Sequence, residues 1–217
     1  MYIPRHFRQQ EAGELHGLMR AHPLATLIVH GDQGLTANHV PLLFDAGVGA
    51  HGVLRGHVAR ANPLWRDAVA GCPALALFHG PDAYVSPGWY PSKRDDSRVV
   101  PTWNYAVVHV HGTLTAVEDR AWLLALVTAL TAVHEAPRPE PWQVGDAPPE
   151  YVEQLLGAIV GLELAVTRIE GKWKLSQNRP PADRAGVAAG LRAQADPAKA
   201  DLADRVVAAT APGSRDA

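Results

Sequence analysis

The sequence predicts a mainly β protein with helical additions, an antiparallel meander folded into a closed or split barrel. Three observations carry this expectation. Apolar runs rich in Leu, Ile and Val recur between Leu24 and His57, joined by short glycine turns, a connection that suits antiparallel strands and not a parallel α/β sheet. Tyr105 to Val117 alternates, with Ala106, Val108, Val110 and Gly112 on one face and Val107, His109, His111 and Thr113 on the other. About seven short strands in one domain must also hide their edges, and curling into a barrel does so.

The elements follow in order. Gln9 to Ala21 reads as a short helix, with Leu15, Leu18 and Met19 on one side and Pro23 ending it. Leu24 to His30 is a buried strand, and Gly31-Asp32-Gln33-Gly34 a hairpin connection into a strand from Leu35 to Phe44. A third strand spans Ala50 to His57. Asn62 is placed to cap a short helix that opens with Pro63. Pro73 to His79 is a further strand, and Tyr84-Val85 a short separate one. Glu118 to Glu135 is the clearest helix, its apolar face made by Trp122, Leu123, Leu126, Val127, Leu130 and Val133. Pro137, Pro139 and Pro141 stiffen the linker to a helix from Tyr151 to about Val160. Strand Leu162 to Ile169 is expected to turn back at Gly171, and Asp183 to Leu191 to form a last helix. Residues 1–192 thus make one domain. The Ala-, Asp- and Arg-rich segment 193–217 lacks aromatics and is expected to be a frayed or disordered tail.

Composition narrows the function. Hydrophobic content of 47% and charged content of 19% are globular values. A net charge of -2 gives no general attraction to nucleic acid. The single cysteine, Cys72, excludes a disulfide framework and fits a reducing compartment, where it is expected to be a buried structural thiol. The opening residues carry Arg5, Arg8 and Glu11 and no apolar core of a signal peptide. Ala121 to Leu130, the longest apolar run, is ten residues long, against about 20 for a bilayer span. A cytoplasmic location is expected.

Four stretches hold more polar and aromatic side chains than folding requires. His57-Val58-Ala59-Arg60-Ala61-Asn62-Pro63 crosses from a strand end to a helix start, a setting that suits an anion. Tyr84-Val85-Ser86-Pro87-Gly88-Trp89-Tyr90-Pro91-Ser92-Lys93 is a rigid turn with three aromatics. Val100-Pro101-Thr102-Trp103-Asn104-Tyr105 opens the longest strand, with Thr102 and Asn104 facing away from the indole. Gly171-Lys172-Trp173-Lys174-Leu175-Ser176-Gln177-Asn178-Arg179 combines an aromatic, cations and amides, a mixture suited to a flat ligand with an anionic end. Each stretch is also compatible with ordinary packing: a helix cap, a loop lid, or a strand ending in a turn. His109 and His111 share a strand face but have no third ligand at useful spacing, so no metal site is expected. The sequence contains no P-loop, dinucleotide glycine fingerprint, serine nucleophile elbow or Cys-x-x-Cys pair.

With the opening Met1-Tyr2-Ile3-Pro4-Arg5-His6-Phe7, these stretches resemble the PaiB-type family of FMN-binding negative transcriptional regulators, in order over residues 1 to 191. The resemblance implies an FMN-binding split β-barrel and a homodimer with the flavin site at the subunit interface. It implies Arg60 and Lys93 as phosphate ligands, with His57, Asn62 and Ser86 nearby, since phosphate favours cationic and hydroxyl donors. Trp103, Asn104, Lys174, Gln177 and Arg179 would line the flavin ring or the dimer contact. A role as a regulator comes with the family, but the chain shows neither a basic face nor a recognition helix, which argues against direct DNA contact. Two alternatives remain open. One is an FMN-dependent oxidoreductase acting on a reduced nicotinamide or small amine, with His57 and His79 as the only evident acid–base groups. The other is a haem-binding split barrel with His109 or His111 as axial ligand.

Overall fold

The computed structural model describes residues 1–31 and 34–209. Asp32 and Gln33 of the expected hairpin connection, and the last eight residues of the expected tail, lie outside the described residues. The described residues form eight strands: β1 Arg8–Gln9, β2 Leu24–Gly31, β3 Gly34–Pro41, β4 Leu43–Asp45, β5 Val53–Ala59, β6 Cys72–Val85, β7 Thr102–Val117 and β8 Ile159–Lys174. Their hydrogen-bonded order is β3-β2-β6-β7-β8-β5-β4, with β1 added to β8, so among the described residues the sheet is open and not a closed barrel. Among the described residues six α-helices accompany them: α1 Ala12–Ala21, α2 Leu64–Asp67, α3 Arg120–Glu135, α4 Pro149–Gly157, α5 Pro181–Arg192 and α6 Pro197–Ala208. No helix among the described residues is long and apolar enough to cross a membrane.

The chain divides into two compact units. One comprises His22–Phe78 and His109–Ile169. Here β2 pairs antiparallel with β3 from Leu24↔Pro41 to Gly31↔Gly34, and with β6 from Thr26↔Leu77 to Val29↔Ala74. On the opposite flank β5 pairs with β4 and, from Val53↔Ala165 to Ala59↔Ile159, with β8. Ala25, Leu27 and Val29 are buried while Leu24 is exposed, the period-two pattern of a strand with one wet face. The strand expected from Leu35 to Phe44 is broken at Leu42, whose buried N–H donates to the Pro23 carbonyl at 2.9 Å. Helix α3 is capped by Asp119, which accepts from the Trp122 N–H at 2.8 Å, and buries Leu123, Leu126 and Leu130. Val133, expected on its apolar face, is exposed. Cys72 is buried as expected, and burial, with Asp67 adding to it, pushes its thiol pKa up, away from a reactive thiolate.

The second unit comprises Met1–Ala21, His79–Val108 and the chain from Glu170 on. Its buried apolar residues include Leu15, Leu18 and Met19 of α1, Val187, Ala188 and Leu191 of α5, and Leu202, Ala203 and Val206 of α6. Tyr84-Val85 is not a separate strand, because β6 runs unbroken through Pro81. That proline lies beyond the part of β6 paired with β2, so its missing N–H removes no bond from that ladder. Gly171 does not turn the chain either. It stays within β8 opposite Gln9, where a Cβ would strike Leu15 and lie 2.9 Å from the Gln9 carbonyl oxygen. The turn comes at Ser176, whose φ of 62° is left-handed.

The expectation of a frayed tail from residue 193 is corrected over 197–208. Asp196 caps α6 by accepting from the Ala198 N–H at 2.9 Å, and Arg184 donates to the Val206 and Val207 carbonyls at its far end at 3.0 and 3.3 Å. Arg192 pairs with Asp204 at 2.6 Å, and α6 packs along α5. Alanine-rich segments have high helix propensity, and three buried side chains suffice to dock this one.

Candidate functional site

The expected site residues fall into two sets, one in each unit. In the first unit, His57 sits in β5 and Arg60 and Asn62 follow it. The Arg60 guanidinium is fully engaged. Nε donates to Gly157 O at 3.0 Å, Nη2 to Ile159 O at 3.2 Å, and Nη1 meets Glu118 at 2.5 Å. Arginine thereby ties the end of α4 to the start of β8, the work of a clamp more than of an anion receptor. Asn62 accepts from the Leu64 N–H at 3.0 Å and donates to Asn38 at 2.8 Å. The expected cap is thus shifted by one residue: α2 starts at Leu64 with Pro63 in the N-cap position, and Asn62 holds the Leu64 N–H from just before it.

His57 differs from both. Its Nδ1 is buried with no hydrogen-bond partner among the described residues. Burial holds its pKa below the ordinary 6.5, since the imidazolium is worse solvated than in water. On acidification the unfolded chain therefore takes up this proton first, and stability should fall as pH drops from about 6.5 toward the folded pKa. Urea unfolding from about pH 7 to pH 5 should show that loss, reduced in His57→Gln. The His16 pKa, lowered by burial and by Arg20, acts in the same direction. A profile unchanged by His57→Gln would remove His57 from this role.

In the second unit, the polar residues converge near the start of β7 and the end of β8. Trp103 is 54% exposed, while Asn104 beside it is 1% exposed, the opposed facing expected of strand neighbours. The Asn104 side chain meets the Ser176 hydroxyl at 3.0 and 3.2 Å. Gln177 accepts from the Leu175 N–H at 2.8 Å and donates to the Trp173 carbonyl at 2.7 Å. Both amides thus support the left-handed turn at Ser176. Lys174 donates from Nζ to the Thr102 hydroxyl and, at 2.5 Å, to the Trp103 carbonyl. Arg179 lies over the Tyr90 ring, 4.8 Å from its centroid. Burial pushes the Tyr90 phenol pKa up, partly offset by that guanidinium.

Trp103 and Asp82 line two adjacent concavities in this unit. One, about 470 Å³, is also lined by Tyr84, Ser86, Trp89 and Lys199. The other, about 390 Å³, adds His79, Tyr105 and Val107. Tyr84 meets Trp103 edge-on, with centroids 6.2 Å apart and planes at 76°, leaving much of the indole open. Trp89 is seated by Gly186 and Gly190 of α5, where any Cβ would strike its carbonyl and ring. Asp183, 1% exposed, holds the neighbouring segment by accepting from the Ser92 N–H at 3.0 Å and its hydroxyl at 2.7 Å. Lys93, next in sequence, is exposed and lines neither concavity.

The structure therefore brings Ser86 and Trp103 to one hollow, and places Lys174, Asn104 and Gln177 in the framework beneath the strand ends. Sequence reasoning missed Asp82 and Lys199 as lining residues, and marked Tyr84 only as part of the aromatic turn. Lys199 lay in a segment without a motif, and only the packing of α6 reveals its place.

Residues 1–168 match the family model described as "Putative FMN-binding domain". The protease synthase and sporulation protein PAI 2 of Bacillus subtilis is 32% identical over 204 residues, covering 94% of this chain and 95% of that protein. Among solved structures, an FAD and heme binding protein from Mycobacterium smegmatis superposes with a TM-score of 0.53 at 17% identity, over 77% of this chain and 73% of that one. The flavocytochrome Anf3 from Azotobacter vinelandii gives 0.55 at 12% identity, over 79% and 72%. At such identities these two structures support the fold, a split barrel.

Proposed function

For this chain, which belongs to the family of putative FMN-binding domains, we propose binding of FMN with the isoalloxazine ring against Trp103. The observation that supports this most is the half-exposed indole lining two hollows of about 390 and 470 Å³. A flat apolar surface beside Tyr84, with Ser86 and Lys199 within one hollow, has the donor set a phosphorylated planar molecule needs. Lys93 and Arg179 are further cations of the same unit for the phosphate. Arg60 is the weakest of the expected phosphate ligands, because three bonds would have to be given up. FMN, when bound, supplies reversible one- and two-electron chemistry. The residues position it and limit its access to water.

The open indole also supports a homodimer, the partner covering what one chain leaves exposed. A regulatory role rests on the PaiB-type resemblance and on the name of the Bacillus subtilis relative. With a net charge of -2, direct DNA contact is not part of the proposal, and promoter fragments should show no retardation in a low-salt gel shift. The second hollow favours an additional reading as an oxidoreductase, since His79 and Asp82 could exchange protons with a small substrate there.

The visible spectrum of the purified protein tests the cofactor. The two-band absorption of a flavin at one per subunit, released as FMN on denaturation, is the expected result. A Soret band would indicate haem, which the Mycobacterium smegmatis neighbour is named for binding beside FAD, and would overturn the flavin-only reading. Bleaching of the flavin by a reduced nicotinamide without oxygen would select the oxidoreductase reading.

A further inference from the structure

Lys174 stood among the expected flavin-lining residues, but its contacts assign it other work. Its ammonium donates to the Thr102 hydroxyl and to the Trp103 carbonyl at 2.5 Å, the first two residues of β7. The residues just before them, Arg98, Val100 and Pro101, include exposed and loop positions, so the strand begins from an unpaired segment. A strand end of this kind frays unless it is tied down. The Trp103 indole meets Tyr84 only edge-on and is 54% exposed, so its aim depends on how its backbone is held.

We infer that Lys174 is a positioning residue, a strut that fixes the backbone of Trp103 and thereby aims the indole, and is not itself a ligand of the flavin. The inference rests on the reading of the Trp103 hollows as the flavin site. Two of the three ammonium protons are committed to neutral acceptors, so recruiting the amine to a phosphate would release the strand end. Burial pulls the Lys174 pKa down, and the positive charges of Lys172 and Arg179 add to this. Of these two cations, Lys172 donates to the Tyr2 carbonyl at 3.1 Å and lies near the Tyr2 and Tyr105 rings, 5.8 and 5.3 Å from their centroids, while Arg179 lies over the Tyr90 ring. Neither hollow beside Trp103 is lined by Lys174. Arginine can supply the same two bonds, whereas methionine keeps the apolar stem and supplies none.

A double-mutant cycle on FMN affinity separates a strut from a ligand. Lys174→Met should weaken FMN binding about tenfold, and Lys174→Arg should restore most of it. In a Trp103→Ala background, Lys174→Met should have no further effect. Additive losses would mean that Lys174 contacts the flavin directly, and an unchanged affinity in the single variant would mean it does neither; both results overturn the inference. Near-UV circular dichroism of flavin-free protein gives a readout independent of the cofactor. The Trp103 contribution, taken as wild type minus Trp103→Ala, should be lost in Lys174→Met, and its persistence would also overturn the inference. Should the wild type bind no FMN, the flavin reading fails while the dichroism still decides the strut. If Lys174→Met does not fold, Thr102→Val removes one of the two acceptors and should give a smaller change of the same kind in both measurements.

Discussion

Trp103→Ala should raise the Kd for FMN roughly 10- to 100-fold, because stacking on an aromatic side chain is worth about 1–3 kcal/mol by truncation to alanine. The midpoint of thermal unfolding should move little, since about half the indole is already in water and its ring contact is a single edge-on meeting with Tyr84. Trp103→Phe should recover much of the affinity by keeping a flat ring. Titration followed by flavin fluorescence, with calorimetry on the same samples, separates the two effects. A variant that binds FMN as tightly as the wild type would remove Trp103 from the site. One that loses affinity only together with a large drop in melting temperature would make it a packing residue.

Asp183→Ala should be the most damaging single polar substitution in the second unit, at about 2–4 kcal/mol. The carboxylate is almost fully buried and takes both the backbone N–H and the hydroxyl of Ser92. Its removal strands two donors at once and unfastens the short helix Pro91–Arg94 from α5. Ser92→Ala should cost less, because the backbone bond survives. Asp183→Asn, with one acceptor oxygen left, should fall between them. Urea unfolding gives the ranking, and a loss below about half a kcal/mol for Asp183→Ala would show that solvent replaces these bonds.

These two residues also show how far sequence could be read. Trp103 was visible because an aromatic next to Asn and Thr at a strand start is unusual, and period-two facing set the indole opposite both, without saying which face is buried. Asp183 was not marked, as an acid in a helix's first turn is commonplace and its partner lies 91 positions away. Strands β2 and β7 were legible for local reasons: β-branched residues and alternation fix a strand and its buried face without reference to partners. Gly171 was misread as a turn because a glycine needed for close approach to Gln9 looks in sequence like one needed for a bend. Helix α6 fell within the expected tail because its pattern is weak: Leu202 to Ala209 can be read as part of a helix, but Leu202 and Val206 acquire meaning only against α5. In the candidate site, motifs found polar side chains without revealing their employment. Arg60, Asn104 and Gln177 could each have been ligands, and distance alone shows them serving a clamp or a turn.

The function proposed for this chain depends on where the flavin ring lies. A crystal structure of the protein with FMN should place the isoalloxazine within about 4 Å of the Trp103 indole, in one of the hollows that Trp103 and Asp82 share. Density for the ring elsewhere, with Trp103 still open to solvent, would contradict that placement.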